Sequence, residues 1–239
     1  MPRPARIICA GVPYHVTQRG NRRCQVFFRD AHRRAYLTWL REYSDLHAVE
    51  VLAYCLMPNH VHLVLVPSTA DGLHRVMKPL HMRYAQRVNR DRDWHGHLFQ
   101  GRYFSSALDE TYLWAAVRYV ERNPVRAKLV ARAEDFPWSS ARGHCGLDGD
   151  PVLNLASPLQ RQLSGIADWS AWLRQRDAQD SLEVLRAHAD RSLPCGAADF
   201  VESLEQIAGR PLRCRPRGRP PKSTTGLTRP FPGAAQSKG

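Results

Sequence analysis

Two nearly continuous apolar runs, Val49-Glu50-Val51-Leu52-Ala53-Tyr54-Cys55-Leu56-Met57 and His60-Val61-His62-Leu63-Val64-Leu65-Val66, dominate the first third of the chain. Their length and β-branched content predict strands over 49–57 and 60–66, and the Pro58-Asn59 step between them is turn chemistry, so the pair reads as a buried hairpin. A third strand is expected over about 12–18, with a second limb past a Gly20-Asn21 turn reaching 28. Apolar residues at three-and-four spacing predict helices over 30–46, 72–90 and 110–122, with Pro79 expected to kink or restart the second. Phe99–Phe104 reads as a further strand. Strands interrupted by helices point to an α+β fold, an antiparallel sheet with helices packed against it.

The hairpin carries chemistry. Strand side chains alternate between faces, so His60 and His62 share one face while Val61, Leu63 and Leu65 pack on the other. Two imidazoles converging from one face are the start of a divalent-metal site; hydrogen-bonded histidines at a strand end are the plainer alternative. On the 110–122 helix, Leu113, Ala116, Val117 and Val120 form the apolar stripe, and Tyr119 falls beside it, free to face a cleft. Asn123 lies one turn beyond, at a helix end set by Pro124. Tyr112 occupies nearly the same face two turns earlier, and spacing does not choose between the two tyrosines.

Four blocks now line up in order: Val12-Pro13-Tyr14-His15-Val16-Thr17-Gln18-Arg19-Gly20-Asn21, Met57-Pro58-Asn59-His60-Val61-His62, Gly96-His97-Leu98-Phe99-Gln100-Gly101-Arg102-Tyr103 and Tyr119-Val120-Glu121-Arg122-Asn123-Pro124. Over roughly 5–145 they resemble the REP-associated tyrosine transposases, members of the single-tyrosine HUH nucleases. The resemblance implies a ferredoxin-like α+β core and a metal-dependent single-strand DNA nuclease and strand transferase. It also implies His60 and His62 as metal ligands, Tyr119 as nucleophile and Asn123 as third ligand, with Mg²⁺ or Mn²⁺ as the cofactor and a covalent 5′-phosphotyrosine as the intermediate. A catalytically silent DNA-binding relative and a hydrolase that activates water are the competing function classes.

Charge agrees with a nucleic-acid partner: 35 Lys and Arg against 22 Asp and Glu leave a net +13. Arg19, Arg22 and Arg23 flank the Gly20 turn, and Arg83 and Arg87 lie on the 72–90 helix; all five are candidate DNA contacts, with single-stranded or hairpin DNA as the expected partner. From 206 to 239 there are eight basic residues and no acidic one. Within this tail, Arg217-Gly218-Arg219-Pro220 resembles an AT-hook core, so Arg217, Arg219 and Lys222 are expected to touch DNA, A·T-rich duplex included. The expected organisation is a catalytic domain over 1–145, a linker and short helices docked on it over 146–209 (helices near 167–176, 180–189 and 197–208), and a basic disordered tail over 210–239. No apolar run is long enough to span a bilayer, and six cysteines without a Cys-x-x-Cys pair suggest reduced thiols. A cytoplasmic, nucleoid-associated monomer or homodimer is the resulting expectation.

Overall fold

The computed structural model describes residues 6–163, 165–175 and 179–213. The chain runs β1 (Tyr14–Arg19), α1 (Asp30–Leu46), β2 (Val49–Met57), β3 (His60–Pro67), α2 (Gly72–Arg92), β4 (Phe104–Ala107) and α3 (Glu110–Glu121). The short helices α4 (Asn123–Arg126), α5 (Ala141–His144), α6 (Pro158–Leu163) and α7 (Trp169–Arg174) follow, and then α8 (Gln179–Ala189) and α9 (Ala198–Ala208). The strands form one four-stranded sheet in the order β2-β3-β1-β4, antiparallel at every pairing. This is the expected α+β architecture.

Each face of the sheet buries a separate apolar layer. Val61, Leu63 and Leu65 of β3 meet Leu37 and Leu40 of α1 and Leu73, Val76 and Leu80 of α2. On the reverse face, Val64 and Val66 meet Ala116, Val117 and Val120 of α3, with Trp169, Leu173 and Leu185 from the later helices completing the layer. The period-2 alternation of β3 therefore assigns His62, two residues before Val64, to the α3 side. That one parity rule puts the histidines and Tyr119 on the same side of the sheet.

Two local expectations are revised, and a third is narrowed. The limb after the Gly20 turn is no strand: Val26 and Phe27 donate their N–H groups to the Pro58 carbonyl and cap the hairpin tip. Gly20 is required there because a Cβ would meet the Cys24 carbonyl oxygen at 2.1 Å. The 99–104 strand is displaced to 104–107, since Gly101 adopts a left-handed φ of 66° that breaks the extended run. Helix α2 passes through Pro79 without restarting. Pro79 is only half-buried, beside exposed Arg75 and Lys78, so the carbonyl its missing N–H leaves unpaired can be solvated.

Helix α3 is capped at its start by the Asp109 carboxylate, which accepts from the Tyr112 N–H at 2.8 Å. The same carboxylate accepts from the Ala197 N–H at 2.8 Å, and the Cys195 N–H donates to the Ala107 carbonyl at 2.8 Å. The later helices are thus stitched to the start of α3 and to the edge strand β4. Docking continues beyond Gly209. Leu212 is buried in the core, and Arg213 pairs with Glu202 and Glu205, so these carboxylates of α9 hold the first part of the basic tail. Arg217, Arg219 and Lys222 lie outside the described residues. No helix among the described residues is long and apolar enough to cross a membrane.

Candidate active site

Strand β3 enters the site with Met57 and His60 paired across the hairpin. On its other side β1 runs antiparallel, with Arg19 opposite His60 and Thr17 opposite His62. His60 and His62 meet edge to face, ring centroids 4.8 Å apart. His62 in turn meets the Tyr119 ring at 5.5 Å and 90°. A cavity of about 320 Å³ is lined by these three residues together with Thr17, Gln18, Arg19, Arg23, Gln100, Phe104, Arg186, Ala189 and Asp190. Tyr112 lines no part of it and packs in the α3 apolar layer. The structure therefore separates the two tyrosines that helical spacing left equivalent.

Both histidines are neutral imidazoles. Burial, reinforced by the Arg19 guanidinium, brings His60 down to about 4. His62 falls well below the usual histidine range, first through burial and then through His60, His15, Arg126 and Arg19. The His60 Nδ1 atom lies 2.6 Å from Asn59 Oδ1. Because the Asn59 Nδ2 group donates to the Arg23 carbonyl at 3.1 Å, the amide oxygen is the atom facing the ring, and it accepts the Nδ1 proton. His60 is left with its Nε2 lone pair available. Asn59 thereby ties the arginine loop to the first histidine. Arg22 and Arg23 of that loop hold left-handed φ angles of 52° and 63°, which is strain the hairpin tip must support.

The donor set suits a divalent ion in part. Two neutral imidazoles on one face, His62 buried and His60 half-buried, are good nitrogen ligands. Asn123 is buried at the start of α4 but is not among the residues lining the cavity. Among the described residues no group of three His, Cys, Asp or Glu side chains is close enough to hold an ion. His60 and His62 would supply the protein nitrogens, leaving open positions of the kind a catalytic centre needs.

The arginines divide. Arg19 and Arg23 reach the cavity, and Arg22 is exposed in the same turn. Arg83 and Arg87 stand on α2, across the sheet from Tyr119, where they pair with Glu42 and Asp91. Sequence reasoning missed Arg186 of α8 and Asp190 just past its end, which both reach the cavity wall, and it assigned no role to Asn59 or His15. A helical prediction over 180–189 existed, but nothing in its pattern says which neighbour the helix covers.

Residues 9–123 match the family model described as Transposase IS200 like. Among solved structures, the REP-associated tyrosine transposase bound to a REP hairpin aligns over 64% of this chain and 90% of that chain, at 18% identity and a TM-score of 0.49. A candidate transposase from Deinococcus radiodurans R1 aligns over 51% of this chain and 97% of that one, at 21% identity and a TM-score of 0.36. The comparison with curated proteins gave no match.

Proposed function

We propose, from the match of residues 9–123 to the family model described as Transposase IS200 like, that the chain cuts and rejoins single-stranded, hairpin-bearing DNA through a covalent bond to Tyr119. One observation supports this above the others: a phenol, two neutral imidazoles and the arginines 19, 23 and 186 line a single cavity. The arginines offer an anionic backbone its counter-charge, and among the described residues lining the cavity the hydroxyls are those of Tyr119 and Thr17.

In the proposed reaction the Tyr119 oxygen attacks phosphorus in line with the 3′ oxygen. The bond from phosphorus to tyrosine forms, the bond to the 3′ oxygen breaks, the phenolic proton leaves to solvent and the 3′ oxygen takes one up. The products are a 5′-phosphotyrosine and a free 3′-hydroxyl; reversal with another 3′ end rejoins the strands. A Mg²⁺ or Mn²⁺ ion held by His60 and His62, with the Asn123 carboxamide as the candidate third ligand, would neutralise charge building on the phosphate. Arg19 and Arg23 hold the neighbouring backbone, and Asn59 keeps the His60 lone pair turned to the cavity.

The test is incubation with a hairpin oligonucleotide and Mn²⁺, followed by denaturing electrophoresis. Wild type and Tyr112→Phe should give a protein–DNA adduct, and Tyr119→Phe should give none. Cleavage that persists in Tyr119→Phe without an adduct would instead assign the chemistry to activated water.

A further inference from the structure

His15 touches the site from behind. It sits on β1, opposite Val64 of β3 and Ser106 of β4, and is only 1% exposed. Its Nε2 atom is 2.9 Å from Nδ1 of His62, and the two ring centroids are 5.1 Å apart with planes 19° from parallel. Its ring and that of Tyr119 lie with centroids 5.7 Å apart and planes 72° from parallel. His15 is absent from the cavity lining, and its Nε2 is taken by the hydrogen bond, so it is no third ligand.

One proton is shared along that bond, and its side decides what His62 can do. If His15 donates, His62 Nδ1 is the acceptor, and a neutral His62 must carry its proton on Nε2, which then has no lone pair to offer. If His62 donates from Nδ1, its Nε2 lone pair is exposed to the cavity, and His15 must keep its own proton on Nδ1. His15 Nδ1 is buried without a hydrogen-bond partner among the described residues. A buried polar atom left unpaired costs stability, and an apolar residue of similar size would avoid the cost. That expense at this place marks a functional group.

We propose that His15 is a positioning residue of the metal centre: it accepts the Nδ1 proton of His62, so that His62 presents Nε2 to a divalent cation. His60 is set in the same way by Asn59, so each ligand has an acceptor behind it, one a half-buried carboxamide and one a buried imidazole. The inference rests on the metal-binding reading of His60 and His62.

Mn²⁺ titrated into the full chain, with bound metal read by electron paramagnetic resonance, tests it without reference to activity. His15→Phe keeps the aromatic volume and removes the acceptor; its Mn²⁺ affinity should fall about 10- to 100-fold, the usual cost of losing a partner behind a metal ligand. His15→Gln, whose amide oxygen can accept the same proton, should restore most of it. Long-range ¹H–¹⁵N correlations of the Mg²⁺-saturated wild type should show His62 protonated at Nδ1, which keeps the proposal testable if His15→Phe does not fold. Affinity lost in His60→Ala but unchanged in folded His15→Phe overturns the positioning role alone, as does an unprotonated His62 Nδ1. Affinity unchanged in His60→Ala overturns the metal reading itself.

Discussion

The guanidinium carbon of Arg126 lies 4.1 Å from the centroid of the Tyr119 ring, and the same side chain donates to the Tyr119 carbonyl oxygen. Pro124 makes this possible. It ends α3 and starts the single turn α4, which returns Arg126 to the level of a residue seven positions earlier. The Tyr119 ring thus has a cation over its face and meets two imidazoles at steep interplanar angles.

Removing that cation should slow adduct formation more than DNA binding. A cation over an aromatic face contributes about 0.5–2 kcal/mol, so Arg126→Gln is expected to lower the single-turnover rate of adduct formation about 2- to 30-fold. Arg126→Lys should fall between. A rate equal to wild type in Arg126→Gln would mean the contact is packing only.

The two arginine groups should behave differently on single-stranded DNA. Arg19→Ala, Arg23→Ala and Arg186→Ala should each weaken binding and make the log–log salt slope shallower by about 0.7. Arg83→Ala and Arg87→Ala, whose partners are Glu42 and Asp91 across the sheet, should leave the slope unchanged. Fluorescence anisotropy over a salt series reads both outcomes.

Glu121, fully buried, accepts from Ser140 Oγ at 2.5 Å, His144 Nδ1 at 2.6 Å and Trp169 Nε1 at 2.7 Å. It lies between Tyr119 and Asn123 in the chain and joins the end of α3 to α5 and α7. Glu121→Leu should destabilise the fold by about 3–5 kcal/mol, because it strands the buried His144 charge, and urea unfolding measures the loss.

His144 gives that network a pH signature. Burial disfavours its cation, but the Glu121 charge, its hydrogen bond and the bond to Gln160 outweigh that, and the group is raised above the usual 6.5. Both ring nitrogens face acceptors, Glu121 Oε1 and Gln160 Oε1, which suits the imidazolium. Its stabilisation is complete below pH 6.5 and is lost as pH rises through the raised value. The stability gap between wild type and His144→Gln should therefore narrow with rising pH. Buried His81, lowered to about 3 by desolvation, has the opposite sign: its contribution disappears as pH falls below 6.5.

Ending the chain after Arg213 should preserve the fold and adduct formation on a short oligonucleotide, while weakening binding to long DNA. A cut at Gly209 also removes buried Leu212 and should lower the melting temperature. If Arg217, Arg219 and Lys222 read the minor groove, the loss on cutting after Arg213 is greater for A·T-rich than for G·C-rich duplex. Equal losses on the two duplexes would leave a basic anchor without base preference.

Much of the architecture was legible in the chain because it follows from short-range rules. Helix α1 and strand β2 appear at their expected bounds, since apolar periodicity sets an element's identity wherever a face must be buried. The same parity placed His60 and His62 on one face and Tyr119 beside the α3 stripe. What the sequence could not supply was partnership between segments far apart in the chain. The antiparallel register of β1 on β3 brought His15, 47 residues away, behind His62; the choice of Tyr119 over Tyr112 and the arrival of Arg186 needed α3 and α8 to be packed against particular strands. Periodicity states which face of an element is buried and is silent about what buries it, so residues whose role depends on a neighbour, such as His15, Asn59 and Arg126, acquire meaning only once the sheet has closed.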